Sequence, residues 1–484
     1  MKSFALYVMT LLFIVGCSNK TEITGENQLA IPPLIDTKDG KQVELVLKHG
    51  KHQFYSGIES KTMGVNGSYL GPTIRLHKGT NSKINFTNNI GEDTTIHGHG
   101  LHVNGDIDGG PQQVIKHNTT WGIEIPVQQQ AGTSWYHPHL MGKTARHVYT
   151  GLAGLYIIED NNSKSLDIPK NYGVNDIPLI VQDRSFTKGK MNPYHITREG
   201  MMDGMRGDTL VINGTINPYH NVPKGWVRLR LLNASNARFY RFYLSNNTSF
   251  YKIATEGGFL NHPIAIESLN MAPGERNEIM VDMSNISKIN LMAELLLADP
   301  EDKSFFTSNP KENVIEFRTD VTLATQGKLP EKLNNINYFT ESDKSKAVVR
   351  TFHLDMEDGD DEGEGNAMMM HDMHHMFSIN GKSMDMERID ERVKKDDLEL
   401  WQITADMMPH PFHMHGVSFL IMTHNGESPA EADRGWKDTV VVTEEPTEVL
   451  MRFNHVADDK TPYMYHCHIL EHEDGGMMGQ FTVQ

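Results

Sequence analysis

A pair of histidine motifs occurs twice in this chain, and this duplication constrains the fold more than any other feature. The first copy is "HGHG" at 97–100 followed by "HPH" at 137–139, and the second is "HMHG" at 413–416 followed by "HCH" at 466–468. Alternate residues of a β-strand point to the same face, so each pair would present two imidazoles side by side. The repeat therefore predicts two related strand-rich units, one near each end of the chain.

The sequence around these motifs consists of short β-type runs that are interrupted by turn residues. Examples are "QVELVLK", "SKINFTNN", "AGLYIIED", "GWVRLRLLN" and "DTVVVTEE". Alternating Val, Ile, Thr and aromatic residues between Gly, Asn, Asp and Pro are typical of β-sandwiches. Polar stretches at 161–176 and 327–346 divide the 484 residues into three units, 31–160, 161–330 and 345–484. The middle unit has isolated histidines but no paired motif, and we interpret it as a spacer.

The amino terminus predicts export. In "MKSFALYVMTLLFIVGCSNK", Lys2 precedes an apolar run that is too short to span a bilayer, so residues 1–16 indicate a signal peptide. The ending "IVGC" resembles the cleavage motif of bacterial lipoproteins, in which Cys17 would carry lipid. Residues 17–30 would then tether a periplasmic or cell-envelope protein to the membrane through lipid alone. The alternative is an ordinary signal peptide that is cleaved nearby.

The second of the two cysteines, Cys467, would then have no disulfide partner in an oxidising compartment. If His466 and His468 face one way along a strand, Cys467 faces the other and can bind a different metal ion. Candidate partners are His410, His472 and Met477, although Met478 is chemically equivalent to Met477. Two His, one Cys and a weak axial Met form a blue-copper site. The eight paired imidazoles suit about three further ions of copper, zinc or iron.

The sequence resembles the three-domain bacterial multicopper oxidases, and among them the copper-efflux oxidases. The resemblance covers about residues 50–484 and includes "TTIHGHGLHVNGDIDGGPQ", "SWYHPHLMGKTARHVYTGLAGLYIIED", "VRLRLLNASNARFY", "DMMPHPFHMHGVSFLI" and "YHCHILEHEDGGMMGQFTV". It implies an all-β chain of three cupredoxin-like Greek-key β-sandwich domains. It also implies an oxidase that holds four copper ions, one of type 1, one of type 2 and two of type 3.

The resemblance implies roles for individual residues. The type 1 copper ligands would be His410, Cys467, His472 and Met477; the type 2 ligands His97 and His413; and the type 3 ligands His99, His137, His139, His415, His466 and His468. Asp108 and Glu473 match acidic residues that supply protons for oxygen reduction, although a solvated surface carboxylate is the alternative for Glu473. The family has Trp where this chain has Gly98, which predicts looser packing near the type 2 copper.

The substrate is suggested by residues 355–376. An acidic run, "DMEDGDDEGE", precedes "NAMMMHDMHHM", which has five Met within 368–376. Acidic groups attract cations, and the soft thioether sulfurs of Met favour cuprous ion. The alternative is a solvated loop, which is the usual structure of a charged run. By resemblance, Asp406 and Met408 are ligands of a substrate copper site, and Met356 and Asp361 could complete it.

Together these features predict an oxidase that couples cuprous-ion oxidation to the reduction of dioxygen to water, for copper detoxification. A laccase-like oxidase of phenols is the main alternative, and a copper-buffering lipoprotein is the non-enzymatic one. A two-domain nitrite reductase is disfavoured, because the type 3 ligands would be superfluous. The formal net charge of −17 disfavours nucleic-acid partners, and we expect a monomer.

Overall fold

The computed structural model describes residues 25–298, 306–356 and 376–484. Up to residue 160 the strands are β1 (Asn27–Gln28), β2 (Leu34–Asp36), β3 (Val43–Tyr55), β4 (Ile58–Val65), β5 (Thr73–His77), β6 (Asn81–Asn89), β7 (His97–His99), β8 (Thr120–Pro126), β9 (Gly132–His137) and β10 (Gly154–Glu159). All except β1 build the first sandwich, in which the sheet β2-β5-β10-β9-β7 packs against the sheet β4-β3-β6-β8.

The second sandwich consists of two six-stranded sheets. Its strands are β11 (Asp176–Arg184), β12 (Phe186–Thr187), β13 (Lys190–Met191), β14 (Thr209–Ile212), β15 (Pro218–Val222), β16 (Trp226–Asn233), β17 (Phe239–Leu244), β18 (Phe250–Thr255), β19 (Gly258–Ile266), β20 (Ser268–Met271), β21 (Arg276–Asp282), β22 (Lys288–Ala298) and β23 (Phe306–Thr319). The sheet orders are β1-β15-β23-β22-β17-β20 and β14-β11-β16-β21-β18-β19, and β12 and β13 form a separate hairpin.

The third sandwich carries the second histidine repeat. Its strands are β24 (Val348–Met356), β25 (Phe377–Ile379), β26 (Glu391–Val393), β27 (Leu398–Ala405), β28 (His410–Met414), β29 (Leu420–Thr423), β30 (Thr439–Val442), β31 (Thr447–Arg452), β32 (Tyr463–Cys467) and β33 (Met478–Val483). They form the five-stranded sheets β25-β24-β27-β31-β29 and β26-β33-β32-β28-β30. The prediction of an all-β chain of three sandwiches is confirmed.

Helices are short and lie in connections. Within the described residues they are α1 (Thr144–Thr150), α2 (Asn161–Ser165), α3 (Arg198–Asp203), α4 (Glu341–Lys344) and α5 (Leu470–Asp474). None of the helices in these ranges is both long and apolar enough to cross a bilayer.

Each sandwich has its own apolar core because inward-facing and outward-facing residues alternate along its strands. In β3, for example, Val43, Leu45 and Leu47 are buried while the residues between them are exposed or half-buried. Trp401 is fully buried at the centre of the third core, and its ring centroid lies 4.4 Å from that of Phe352. These rigid cores fix the positions of the histidine-bearing strands.

The predicted tether needs correction in its last residues. Strand β1 pairs in parallel with β15, and the Leu29 side chain is buried in the second core. Residues 25–30 therefore belong to the second sandwich, because strand pairing and burial of Leu29 outweigh the polar composition of the segment. The predicted signal peptide, Cys17 and residues 18–24 lie outside the described residues.

Candidate metal centre

Strand pairing brings the two histidine motifs of each repeat together. In the first sandwich β7 lies beside β9, with His97 opposite His137. In the third sandwich β28 lies beside β32, with His413 opposite His466. The ring of His97 stacks on that of His415 and the ring of His99 on that of His413, so the eight paired histidines form one buried cluster between the first and third sandwiches. We call this set the inner cluster: His97, His99, His137, His139, His413, His415, His466 and His468.

The ring nitrogens of the inner cluster divide into groups of metal-binding size. One group is His99, His137 and His468, and a second is His139, His415 and His466; within each, one ligand atom per residue lies within 4.8 Å of the others. Nε2 of His139 is 3.2 Å from Nε2 of His466, and Nδ1 of His99 is 3.4 Å from Nε2 of His137. His97 and His413 form a third group together with His99.

Hydrogen bonds to the opposite ring nitrogens orient these imidazoles. Nδ1 of His97 donates to the carbonyl oxygen of Asp108 over 2.9 Å, and Nδ1 of His413 donates to that of Asp438 over 2.8 Å. Nδ1 of His415 lies 2.7 Å from Oδ2 of Asp108. In each case Nε2 is buried without a hydrogen-bond partner and is free to bind a metal.

Burial favours the neutral form of seven of the inner imidazoles, and the neutral form is the one that binds metals. Burial lowers the pKa of His99, His137, His139, His413 and His466 well below the usual value, and the neighbouring imidazoles lower it further. The same cause lowers the pKa of His415 to about 4 and that of His468 to about 3. So many buried ring nitrogens without hydrogen-bond partners would destabilise the folded chain unless a bound ligand satisfied them.

Two predicted carboxylates contact this cluster. Burial raises the pKa of Asp108, but the imidazoles of His97 and His415 outweigh this effect and hold it below its usual range. Glu473 is fully buried, with its oxygens 3.3 Å from Nδ1 of His139 and 3.4 Å from Nδ1 of His466. The surface alternative for Glu473 is therefore wrong. Burial, with a contribution from Asp474, raises the pKa of Glu473 well above its usual value, so this group can hold a proton.

Sequence reasoning missed a third carboxylate, Asp438. Its Oδ1 lies 3.2 Å from Nε2 of His99, and Arg276 of the second sandwich forms a two-pronged ion pair with it. The arginine and the hydrogen bonds outweigh burial and lower the pKa of Asp438. The stretch "DTVVVTEE", which begins with Asp438, gave no signal of its own, because its strand-like pattern explains the residues without a site.

Cys467 lies on the opposite face of β32, in a second group that we call the outer group: His410, Cys467 and His472. Nδ1 of His410 is 3.3 Å from the sulfur, and Nδ1 of His472 is 3.7 Å from it. The Met477 side chain is buried in the same core. Burial raises the pKa of the Cys467 thiol well above its usual value, so a bound metal would be what converts it to a thiolate.

The donor set fits copper. Two imidazole nitrogens and one sulfur converge in the outer group, and neutral imidazoles with orphaned nitrogens converge in the inner cluster. Borderline and soft donors of this kind bind copper in preference to magnesium or calcium.

The predicted substrate residues lie around the end of β24, at the outer side of the third sandwich. Met356 and Met408 are half-buried against the third core, and Oδ2 of Asp406 lies 3.1 Å from Nε2 of His353. His353 also reaches Oδ1 of Asp355 over 3.1 Å. Asp361 and most of the Met-rich stretch lie outside the described residues.

Gly98 does not loosen the site. A Cβ placed on Gly98 would lie 2.7 Å from Cδ1 of Leu101, and Leu101 is almost fully buried. Leu101 fills the space beside the glycine, so the expectation of loose packing here is wrong.

Comparisons with known proteins agree with this site. The family model described as multicopper oxidase matches residues 46–163 and, in a second form, residues 351–484. These two ranges contain every residue of the inner cluster and the outer group.

Relatives extend the similarity to nearly the whole chain. The multicopper oxidase mco of Staphylococcus aureus is 39% identical over 474 residues, covering 96% of this chain and 94% of that protein. The cell division protein FtsP of Salmonella typhimurium is 36% identical, with coverage of 96% and 94%. The solved laccase-like multicopper oxidase CueO from Ochrobactrum sp. is 36% identical, covers 94% of this chain and 100% of that one, and superimposes with a TM-score of 0.83.

Proposed function

Because the chain belongs to the multicopper oxidase family, we propose that it oxidises cuprous ions, one electron at a time, and reduces dioxygen to water. Four cuprous ions, one dioxygen molecule and four protons would give four cupric ions and two water molecules. Cuprous ion is the substrate, and removal of this toxic form of copper would be the physiological effect.

The outer group would hold a type 1 copper through His410, Cys467, His472 and Met477. In the inner cluster, His97 and His413 would hold a type 2 copper, and His99, His137, His139, His415, His466 and His468 a type 3 pair. Four copper ions bound in this way supply one-electron transfer and oxygen reduction. Support comes from the separation of the histidines into groups of this composition and from their unpartnered buried nitrogens.

The chain itself supplies the route between the two sites. Cys467 is adjacent in sequence to His466 and His468, so a few covalent bonds join the outer group to the inner cluster. Nδ1 of His466 donates to the carbonyl oxygen of Cys467 over 2.9 Å, which fixes the imidazole with Nε2 directed into the cluster. Because β32 is buried on both faces, this route is shielded from solvent.

Protons would come from the carboxylates that contact the inner cluster. Glu473 faces His139 and His466 and has the raised pKa that a proton donor needs near neutral pH. Asp108 has a lowered pKa and would instead stay ionised and orient His415 and His97.

One observation carries the choice of cuprous ion as substrate. Met356 and Phe377, which lie on either side of the acidic and Met-rich stretch in sequence, are paired between β24 and β25, and the Phe377 ring stacks on the His472 ring with centroids 4.5 Å apart. The described residues that flank the stretch therefore lie beside the outer group. Asp406, Met408, Met356 and Asp361 would receive a cuprous ion there, because thioethers favour the cuprous state.

Oxygen uptake by the copper-loaded protein tests this proposal. We expect rapid uptake with cuprous ion and a fall of about tenfold when residues 357–375 are replaced by a short Gly/Ser linker. Residues 355, 356 and 376 must be kept, because they belong to the β24–β25 pairing and the third core. Uptake driven chiefly by a simple phenol, and unchanged or faster in the shortened variant, would instead identify a laccase with a covering flap.

The laccase-like activity remains a second candidate on the strength of the similarity to the Ochrobactrum sp. protein, which acts on lignin model compounds. A copper-buffering lipoprotein without turnover is the non-enzymatic candidate. If the chain only buffers copper, a variant that binds copper but consumes no oxygen should keep the cellular effect of the wild-type protein.

We also propose that the protein is exported as a monomer and anchored in the cell envelope through lipid on Cys17. The support is the sequence alone, with its short apolar run and "IVGC". Labelling cells with a radioactive fatty acid should mark the wild-type protein but not a Cys17→Ser variant. Label on both proteins, or on neither, would contradict the anchor.

A further inference from the structure

The second sandwich reaches the outer group directly. Residues 194–205, which we call the cap segment, contain helix α3 and lie against α5 of the third sandwich. Nε2 of His472 donates to the carbonyl oxygen of Met202 over 2.8 Å. The interpretation of the second unit as a spacer therefore misses a contact with one of the candidate copper ligands.

Several contacts hold the cap segment in place. Met201 is buried within the core of the third sandwich, and Ile196 and Met202 pack against that core. The Tyr194 hydroxyl donates to Oε1 of Glu471 over 3.1 Å.

A glycine allows the segment to approach this closely. Gly204 has a φ of +75°, and a Cβ there would lie 2.1 Å from Cβ of Ala237 and 2.8 Å from Cγ2 of Ile469. Only a glycine satisfies both the positive φ and the close approach without displacing the segment.

The two imidazoles of the outer group are both fully buried, but they have different neighbours. His472 is covered at Nε2 by the Met202 carbonyl and on one face by Phe377. Nε2 of His410 is buried without a hydrogen-bond partner, and Asp406, four residues before it in sequence, is exposed. The second sandwich thus closes the His472 edge, whereas the Asp406 side chain contacts His353 of the third sandwich.

We propose that the cap segment determines substrate specificity by excluding planar organic reductants from the His472 edge; this rests on the proposed function. A phenol gives up one electron and its hydroxyl proton, and it needs close contact with a ligand ring together with an acceptor for that proton. At His472 the outer nitrogen already donates to Met202, so the ring offers neither space nor an acceptor. A cuprous ion needs only the small donor site beside His410.

Substitution at Gly204 tests the cap. Gly204→Ala should displace the segment outward, while Gly426→Ala is a matched control because Gly426 has a φ of +76° but no atom within 4 Å of an added Cβ. We expect Gly204→Ala to raise kcat/KM for 2,6-dimethoxyphenol by about tenfold and to change the cuprous rate by less than about twofold. Hydrogen exchange of the metal-free protein, measured by mass spectrometry, should become faster in residues 194–205 of Gly204→Ala. It should stay unchanged there in Gly426→Ala.

Tyr194→Phe, which removes only the bond to Glu471, provides a milder variant if Gly204→Ala fails to fold, and should shift both readouts in the same direction. Faster exchange in the cap segment with an unchanged preference between phenol and cuprous ion would overturn the proposal. A wild-type protein that already prefers phenol would contradict the proposed function instead. The effect of the cap would still be measured by the ratio of variant to wild-type phenol rates.

Discussion

At the scale of single residues, the ring nitrogen of a histidine that is available to a metal is determined by the hydrogen bond that the other ring nitrogen makes. His97, His413 and His415 use Nδ1 for oxygen acceptors and leave Nε2 free. In the outer group His472 is reversed, since Nε2 donates to Met202 and Nδ1 faces the sulfur. Such bonds restrict each ring to one tautomer and so contribute to metal affinity.

Loss of the thiol should remove one copper site selectively. We expect Cys467→Ser to lower the copper content by about one ion, to abolish the strong blue absorption of a copper–thiolate bond and to reduce oxygen uptake at least about a hundredfold. Metal analysis and absorption spectroscopy check this outcome. Cys17→Ser is the matched control and should retain all three properties, because Cys17 belongs to the predicted signal and tether region. Retention of the blue absorption in Cys467→Ser would refute the assignment of the outer group.

At the scale of secondary structure elements, short helices join the sandwiches around the site. Helix α1 of the first sandwich has no side-chain cap of its own at Lys143. Instead Asp474, at the end of α5 in the third sandwich, accepts hydrogen bonds from the backbone nitrogens of Thr144 and Ala145 over 3.0 and 2.9 Å. The side chain that caps helix α1 therefore also joins the first sandwich to the third.

Removal of this cap should destabilise the docked structure. We expect Asp474→Ala to lower the free energy of unfolding of the metal-free protein by about 1–2 kcal/mol, as for loss of a helix N-cap. Urea unfolding measures this value. Asp160→Ala removes the comparable cap of α2 together with a hydrogen bond from the backbone nitrogen of Ala131, and neither contact involves the third sandwich. It should cost a similar free energy but leave copper content unchanged, whereas Asp474→Ala should lower copper content as well. Equal copper content in both variants would mean that the Asp474 cap has no influence on the inner cluster.

At the scale of the whole molecule, the inner cluster lies between two sandwiches, and each contributes four histidines. Burial lowers the pKa of seven of its imidazoles, so the folded chain binds fewer protons than the unfolded chain below the usual histidine pKa. Unfolding then becomes easier as the pH falls from about 6.5 toward the folded pKa values. Bound copper opposes this effect by occupying the nitrogens that protons would take.

The stability of the metal-free protein should accordingly fall between pH 7 and pH 5. His415 and His472, with a pKa of about 4, and His468, with a pKa of about 3, each add up to about 1.4 kcal/mol per pH unit in this window. Urea unfolding at the two pH values provides the measurement, and the copper-loaded protein should show a smaller decrease. A metal-free protein of equal stability at pH 7 and pH 5 would contradict the prediction that the buried histidines outweigh Glu473 and Asp474, whose raised pKa values act in the opposite direction.

The sequence by itself determined the strand-rich class and the two histidine repeats, because the period of two is a local property of the chain. It also separated Cys467 from its neighbouring histidines, since adjacent residues of a strand face opposite ways. The repeat could not show that His97 lies opposite His137 and His413 opposite His466, although these pairs are about 40 and 50 residues apart. Such pairings depend on which strands become neighbours, and that is settled by burial across the whole sandwich.

Only the tertiary structure decided how the three sandwiches meet around the candidate copper ligands. Asp438 contacts His99, Leu101 fills the space beside Gly98, and Met202 covers His472. The Asp438 contact joins residues far apart in sequence, the Leu101 contact depends on a backbone turn, and the Met202 contact uses a backbone carbonyl, which no residue type reveals. The chain thus encodes its candidate copper ligands locally, whereas docking of the rigid cores fixes the carboxylates beside them and the orientation of their rings.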